Sequence, residues 1–198
     1  MNGDEKAEQF TAVVTCMHTS KVVTINFGQK NKTVQLMNSA YWQGGITCPP
    51  QQAPTGAGYD LQPTVDPQRF AAGPLPFVDA TFTTMRPVPG GWRFGILNRG
   101  PPVRAKLMVR CTRRQSRSRR LTIARVTRRV PLGASSEASF TRRCPSGWQP
   151  LFAGWASASQ DVRVQGYLSR SKRARYLVEN LSREPLSVTL DVLCARAR

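Results

Sequence analysis

Arginine is the residue type with the most evident chemistry in this sequence, because it fills nine of the twenty-one positions from 109 to 129. Its guanidinium group stays protonated and offers a planar fork of donors that suits phosphate, sulfate and carboxylate groups. A second basic segment, SRSKRAR, occupies residues 169–175. Such clusters predict an anionic partner. The candidate anion-binding residues of the two segments are Arg113, Arg114, Arg117, Arg119, Arg120, Arg170, Lys172, Arg173 and Arg175.

Residues that carry catalysis or hold metal ions are scarce. The one histidine, His18, lies in TCMHTSK, where an exposed turn is the ordinary interpretation, and nucleophilic catalysis would need a base held beside a nucleophile. The five cysteines form no CxxC pair, which disfavours a zinc site. The sequence therefore predicts no enzyme, no cofactor and no metal site. A hydrolase built on carboxylates stays an alternative, because folding rather than sequence distance brings such pairs together.

The positive charge is concentrated in the C-terminal half of the chain. Of a formal net charge of +18, residues 101–198 hold +16, from twenty-one Lys and Arg against five Asp and Glu. No run of about 18 apolar residues is present, which predicts no transmembrane segment. The first ten residues, MNGDEKAEQF, lack the basic and apolar regions of a secretory leader, so we expect either that the chain is not secreted by the usual route or that any leader lies outside this numbering.

Two stretches of the chain show the same landmarks in the same order. A Cys-Pro pair begins at positions 48 and 144, an aromatic strand ends at Asn98 and at Asn180, and a further cysteine follows 13 and 14 residues later. We interpret residues 22–111 and 121–194 as two copies of one β unit, joined by an Arg-rich connecting loop at 112–120. The flanking segments are an N-terminal tail at 1–21 and a C-terminal tail at 195–198.

The N-terminal tail contains FTAVVTC, residues 10–16, which alternates apolar and polar residues as the closing strands do. We interpret it as a lone β-strand, either the remnant of a preceding unit or a strand that completes the sheet of another.

Apolar periodicity predicts the class of fold. Residues 103–111 and 186–194 alternate apolar with mostly polar side chains, a period of two that is typical of half-buried β-strands. Thirty Gly and Pro residues separate such segments, and the sequence shows no apolar stripe of helical spacing and length. We predict an all-β fold of antiparallel β-sandwiches. Residues 49–76, rich in Pro, Gly, Gln and Ala, are predicted to form a long loop in the first unit.

The cysteines recur in each unit as a Cys-Pro cysteine and a closing-strand cysteine. This favours one disulfide per unit, between Cys48 and Cys111 and between Cys144 and Cys194. In the chain-entropy model each crosslink of that loop length stabilises the fold by about 4 kcal/mol. The alternative pairs Cys16 with Cys48 and Cys111 with Cys144. The favoured pairing leaves Cys16 single, so Cys16 or the N-terminal strand offers a route to a homo-oligomer.

The second unit also shows a Cys-Pro-Ser-Gly start, an Ala-Gly-Trp strand, an aromatic strand ending in Asn and a closing Val-x-Cys. The residues that carry this pattern are Cys144, Pro145, Gly147, Gly154, Trp155, Asn180 and Cys194. The pattern resembles a β-repeat of exported, mostly uncharacterised bacterial surface proteins. That resemblance implies an exported setting and no particular activity. The first unit departs from the pattern at Pro50 and Gln51, where the pattern has a small residue and glycine.

The basic segments distinguish the two units. The equivalent connections of the first unit, MHTSK at 17–21 and TMRPVPGG at 84–91, carry one lysine and one arginine, so the fold does not need the charge. We therefore predict a non-catalytic extracellular or cell-surface protein. Its second unit is predicted to bind an anionic polymer or surface, such as a wall or capsular glycan or lipid headgroups. The alternative is a nucleic-acid-binding or virion structural protein whose arginines neutralise phosphates.

Overall fold

The computed structural model describes residues 27–64, 78–113, 115–116, 119–169 and 173–197. Over these ranges the chain is all β, with thirteen strands in antiparallel sheets and no helix. The predicted fold class is confirmed, and so is the favoured disulfide pairing, Cys48–Cys111 and Cys144–Cys194. The predicted N-terminal strand, Cys16 and His18 lie outside the described residues.

Six strands form what we call the first half of the molecule. They are β1 (Phe27–Leu36), β2 (Tyr41–Thr47), β3 (Gln52–Pro63), β4 (Ala80–Val88), β5 (Gly91–Asn98) and β6 (Val103–Arg113). Hydrogen bonding arranges them in two layers with the orders β1-β6-β3 and β2-β5-β4. The Cys48–Cys111 bond joins the residue that follows β2 to β6, so it ties one layer to the other.

Six later strands form the second half. They are β8 (Arg119–Leu132), β9 (Glu137–Arg143), β10 (Gln149–Ser157), β11 (Val162–Ser169), β12 (Arg173–Asn180) and β13 (Leu186–Ala197), preceded by the short β7 (Gln115–Ser116). Their orders are β8-β13-β10 and β9-β12-β11. Each strand therefore occupies the place of the strand seven numbers earlier in the first half. This correspondence supports the two-copy hypothesis, which stays a prediction about the origin of the chain.

The correspondence extends to single positions, because the strands pair in matching registers. Leu107 on β6 pairs with Lys32 on β1, and Leu190 on β13 pairs with Arg128 on β8. Both leucines lie four residues before the disulfide cysteine of their strand. Positions of the two halves can therefore be matched residue by residue from the cysteines.

The loop predicted at 49–76 is wrong over residues 52–63, which form β3 and pair with β6. The composition of this segment is typical of a loop, although β3 is an edge strand of its layer. An edge strand tolerates proline, which has no N–H to donate, and a register shift between Pro54 and Gly56 accommodates it.

The connecting loop predicted at 112–120 is shorter in the structure. Its first two residues extend β6 and its last two begin β8. Between them Gln115 and Ser116 pair with Arg120 and Arg119. Much of the arginine run therefore continues the β6 and β8 strands instead of forming a free loop.

The closing strands β6 and β13 form the centre of the core. Their inward side chains are at most 1% exposed, and fully burying a Val or Leu side chain contributes about 1.5–3 kcal/mol. These buried residues are Val103, Ala105, Leu107, Val109 and Cys111 on β6, and Val188, Leu190, Val192 and Cys194 on β13. The predicted period of two is confirmed in β6, whereas in β13 both faces are buried around the junction, with Asp191 at 0% and Leu193 at 3% exposure.

A buried asparagine ends the aromatic strand of each half. Asn98 is 0% and Asn180 1% exposed. In each, the side-chain amide donates to the carbonyl groups of two neighbouring turns, at 2.7–2.9 Å for the shortest bonds. Each side-chain oxygen accepts the backbone N–H two residues later. The landmark asparagines of the sequence are therefore hydrogen-bonding centres that each hold two turns together.

The turn after each Cys-Pro pair has the same backbone in both halves. Gln51 and Gly147 adopt positive φ angles of 64° and 75°. Glycine takes this conformation freely, whereas a residue with a Cβ carries a cost of about 1–2 kcal/mol. The first unit thus departs from the repeat pattern at Gln51 in residue type but keeps the left-handed backbone conformation of the turn.

The two halves join through β4 and β10. Met85 pairs with Trp155 and Thr84 with Ala156, which makes one seven-stranded sheet of the order β2-β5-β4-β10-β13-β8-β7. Gly154 permits this approach, because a Cβ at that position would lie 3.0 Å from the carbonyl oxygen of Met85.

A buried carboxylate lies at this junction. Asp191 on β13 is 0% exposed, and its Oδ2 lies 3.0 Å from Nε of Arg86 on β4. Those two atoms attract as charges without the alignment of a hydrogen bond. Thr127 donates to Oδ1 at 2.5 Å, and Arg125 approaches the same oxygen at 3.7 Å. The carboxylate therefore links β4 of the first half to β8 and β13 of the second.

Candidate anion-binding surface

The structure describes part of the predicted anion-binding set. Arg113 is an exposed residue at the end of β6, and Arg173 and Arg175 are the first and third residues of β12. For Arg119 and Arg120 the structure describes the backbone at the start of β8. The remaining predicted positions lie outside the described residues: Arg114, Arg117, Arg170 and Lys172.

Both basic segments adjoin the same end of the second half, which we call the disulfide end because it holds the Cys144–Cys194 bond. β9 ends at Arg143, directly before Cys144, and Arg143 pairs with Arg173 where β12 begins. β8 begins at this end too, because residue 121 pairs with residue 197, three positions after Cys194. The topology thus brings together two segments that are far apart in sequence.

The outward face of the layer β9-β12-β11 presents three of the described cations of this end. Arg143 lies opposite Arg173, and Arg175 lies opposite Tyr167 of β11. Arg143 and Arg175 are exposed, and Tyr167 is 47% exposed. Cβ atoms of directly paired residues are about 4.5–5.5 Å apart, so three guanidinium groups and one aromatic ring share a small area. We call Arg143, Arg173, Arg175 and Tyr167 the basic face.

The acidic residues of the second half lie away from the basic face. Glu137 pairs with Glu179 at the other end of β9 and β12, Asp161 directly precedes β11, and Glu184 lies in the turn before β13. The fifth, Asp191, is buried at the junction. Charge in the second half is therefore segregated along the strands, with the arginines of the basic face at the disulfide end and the carboxylates elsewhere.

The first half has a different surface at the matching positions. Thr47 pairs with Gly91 where the second half pairs Arg143 with Arg173. Arg93 matches Arg175, but the arginine that pairs with it, Arg86, forms the ion pair with Asp191. The same layer of the fold thus exists in the first half without a cluster of three arginines.

Arg143 and Tyr167 were missing from the sequence-based set. The alternation in EASFTRR places Arg143 on the outward side of β9, so its exposure was a readable signal. Its proximity to Arg173, and that of Tyr167 to Arg175, depends on which strands pair and in which register. No local pattern in the sequence contains that information.

The described ranges contain no group of three His, Cys, Asp or Glu that could hold a metal ion. In the same part of the chain, no helix is long and apolar enough to cross a membrane. Comparisons of the chain with protein-family models, curated proteins and solved structures find no match. The function is therefore inferred from the chemistry of the basic face.

Proposed function

We propose that this is a non-catalytic, extracellular or surface-displayed protein whose second half binds an anionic polymer at the disulfide end. The observation that carries the proposal is the segregation of charge: three arginines share the basic face, while the carboxylates of the same half lie elsewhere. A site built only for solubility would be expected to intersperse charges of both signs.

The two disulfides support an extracellular setting. Disulfides form and persist where the surroundings are oxidising, and they are rare in a reducing cytosol. Each bond here joins the two layers of one half, which is the arrangement of a structural crosslink. An exported protein with a strongly positive surface meets wall polymers, capsular glycans and lipid headgroups, all of which carry repeated negative charges.

An extended polymer fits the basic face better than a single small anion. Outward residues two apart on a strand are separated by about 6.6 Å, so successive cations form a row along β12 and across to β9. The exposed arginines meet water when no ligand is bound, and each contact is worth little alone. A polymer gains affinity by making many such contacts at once and releasing counterions, which makes binding strongly dependent on salt.

The test compares two triple variants with the same change in net charge. The first, Arg143→Ser, Arg173→Ser and Arg175→Ser, removes the basic face. The control, Arg104→Ser, Lys106→Ser and Arg110→Ser, removes three exposed cations of β6 in the first half. Titration with a poly(glycerol phosphate) wall polymer, with heparin and with duplex DNA at one salt concentration gives the affinities.

We expect the basic-face variant to lose at least about tenfold in affinity for its best polymer, since several phosphate contacts are lost together. The control variant should lose much less. Equal losses in both triples would show that overall charge, and not this surface, attracts the polymer, and the proposal would then be wrong.

A nucleic-acid ligand is the second candidate, and Tyr167 is the observation that favours it. Aromatic rings beside arginines are the platforms on which unpaired bases stack, at about 1–3 kcal/mol for each base. Tyr167→Ala should then weaken binding to single-stranded DNA much more than binding to heparin. Tyr41→Ala, at a ring of the first half that is 45% exposed, is the matched control.

A further inference from the structure

The edge of the second sandwich holds two arginines on the inner faces of its strands. Arg128 on β8 pairs with Leu190, and Arg142 on β9 pairs with Ala174, and both partners are 0% exposed core residues. Side chains of directly paired residues lie on the same face of a sheet, so both arginines lie on the core side of their layers. β8 and β9 are outer strands of those two layers at these positions in the described chain.

Arg142 lacks a full set of partners. Its Nη1 donates to the carbonyl of Thr141 at 3.3 Å, but its Nε is buried and has no hydrogen-bond partner. Among the described residues, neither Arg128 nor Arg142 takes part in an ion pair. A buried N–H without an acceptor costs about 1–3 kcal/mol of desolvation. The cluster is thus incomplete in the absence of an acceptor.

The electrostatics of the cluster indicate the charge of the missing acceptor. Burial and, after it, the positive charge of Arg128 lower the pKa of Arg142. Tyr176 acts on this pKa in the opposite direction. Arg128 is exposed and Arg142 half-buried, so partial desolvation and the charge of Arg128 both act on Arg142 at the solvent-facing edge of the core. An anion placed between them would relieve both effects, because opposite charge favours the protonated form of each.

The first half shows that the fold has another solution at this edge. Lys32, which matches Arg128, places its Nζ 5.2 Å from the ring centre of Trp42. The position of Arg142 is taken by Ile46, which is 8% exposed. One cation with an aromatic partner and an apolar neighbour has been replaced by two arginines, of which Arg142 has an unpartnered donor.

We propose that Arg128 and Arg142 bind a single tetrahedral oxyanion, a phosphate or sulfate group, at the β8–β9 edge. Guanidinium forks bind such groups with paired hydrogen bonds, and a phosphomonoester carries about −1.5 to −2 charges near neutral pH, which balances two arginines. The site does not rest on the proposed polymer binding, because Arg142 and its neighbour Arg143 lie on opposite faces of β9.

The experiment uses inorganic phosphate as the probe and thermal unfolding as the readout. Wild type, Arg142→Ile and Arg143→Ser are compared in phosphate and in chloride at equal ionic strength and pH. Arg142→Ile introduces the residue of the matching position in the first half, and Arg143→Ser removes the same charge from the opposite face. Glycerol 2-phosphate, tested in the same way, distinguishes a phosphoryl group on a larger molecule from free phosphate.

Phosphate should raise the unfolding temperature of wild type and of Arg143→Ser, and Arg142→Ile should lose that response. We expect its apparent affinity for phosphate to fall by about tenfold or more, as for a lost charged hydrogen-bond donor. In chloride, Arg142→Ile should unfold at the same temperature as wild type or higher, since repulsion and a buried unpaired donor are removed together.

The proposal is wrong if wild type shows no response to phosphate beyond that to chloride, or if Arg142→Ile responds as wild type does. It is also wrong if Arg143→Ser loses the response to the same extent, since that would indicate general charge attraction. Should Arg142→Ile fail to fold, Arg128→Lys serves instead: it keeps the charge, takes the residue of the first half, and should weaken phosphate binding by losing the fork. Polymer affinity should stay at the wild-type level in both variants, which separates this site from the basic face.

Discussion

The two halves of the molecule share a strand order, a disulfide between layers, a buried asparagine and a Cys-Pro turn, and they differ in charge at the disulfide end. Thr47 and Gly91 in one half stand where Arg143 and Arg173 stand in the other. The first half therefore serves as an internal control, because it shows what this arrangement of strands requires without the cations.

The features that the two halves share are those that hold the sandwich together. The residues that differ lie on the outward face, at the β8–β9 edge and at the junction between the halves. Met108 of β6 matches Asp191 of β13, and Lys32 matches Arg128. Such exchanges leave the layers and the disulfide in place. The comparison indicates that the same layer can form without the cations of the basic face, which supports our proposal that these residues bind an anion.

The disulfides should give the largest effect and should be nearly equivalent in the two halves. They close segments with sequence separations of 63 and 50, for which the chain-entropy model gives about 4 kcal/mol each. Replacing Cys48 and Cys111 with Ala, or Cys144 and Cys194 with Ala, should lower the free energy of unfolding by that amount. Urea denaturation measures both. A loss of stability confined to one pair would show that the two disulfides do not contribute equally to the stability of the halves.

Removal of the buried carboxylate should be the next largest effect and has no counterpart in the first half. Asp191→Ala leaves Arg86 and Arg125 without their anion at the junction, and truncating one partner of a buried pair costs about 3–5 kcal/mol. We expect the lower end, about 3 kcal/mol, because both arginines are partly exposed and can be hydrated. Met108→Ala is the matched control, and calorimetry should show the junction variant losing cooperativity between the halves. A single sharp transition of unchanged midpoint would contradict this role.

The asparagines should give smaller and matched losses. Asn98→Ala and Asn180→Ala each leave two turn carbonyls and one N–H without a side-chain partner. Some of these groups can reach water, so we expect about 2 kcal/mol in each case, as for unsatisfied polar groups. Chemical denaturation of the two variants side by side gives the comparison. If one variant has the stability of wild type, the turns beside that asparagine are held by other contacts.

Substitutions in the turn after each Cys-Pro pair should change the free energy of unfolding least. The change should differ in sign between the two halves. Gln51→Gly relieves a left-handed residue and should leave the free energy of unfolding unchanged or raise it by up to about 1 kcal/mol, since glycine also gains entropy in the unfolded chain. Gly147→Ala should lower it by about 1 kcal/mol. Thermal unfolding of the pair is the measurement, and a destabilised Gln51→Gly would mean that the glutamine side chain stabilises the turn.

Much of the fold could be predicted from the sequence because its signals are local or recur. The alternation in β6, the cysteine spacing and the landmark asparagines all correspond to observed features, whereas β13 is buried on both faces near the junction. β3 was missed because proline and glycine at an edge strand look like a loop. Because β3 is half-buried, its sequence shows no clear alternation of apolar and polar residues, and its Pro- and Gly-rich composition determined the prediction.

The candidate site was predicted only in part. Arg173 and Arg175 stood out as members of a basic segment, whereas Arg143 and Tyr167 join them through strand pairing. Arg128 and Arg142 lie on the core side of their layers through their pairing with Leu190 and Ala174, and Asp191 contacts Arg86 across the junction. Strand register and the pairing of distant strands depend on the whole fold, so they cannot be predicted from the spacing of residues along the chain.

The dependence of polymer affinity on salt tests the central claim most directly, because it counts the charge contacts that binding makes. The logarithm of the binding constant is measured against the logarithm of salt concentration for wild type and for the two triple variants. On duplex DNA each lost phosphate contact lowers the slope by about 0.9. We predict that removing Arg143, Arg173 and Arg175 flattens the slope by about 2 to 3, while removing Arg104, Lys106 and Arg110 leaves it nearly unchanged. Equal flattening in both triples, or none in the first, would contradict the assignment of binding to the basic face.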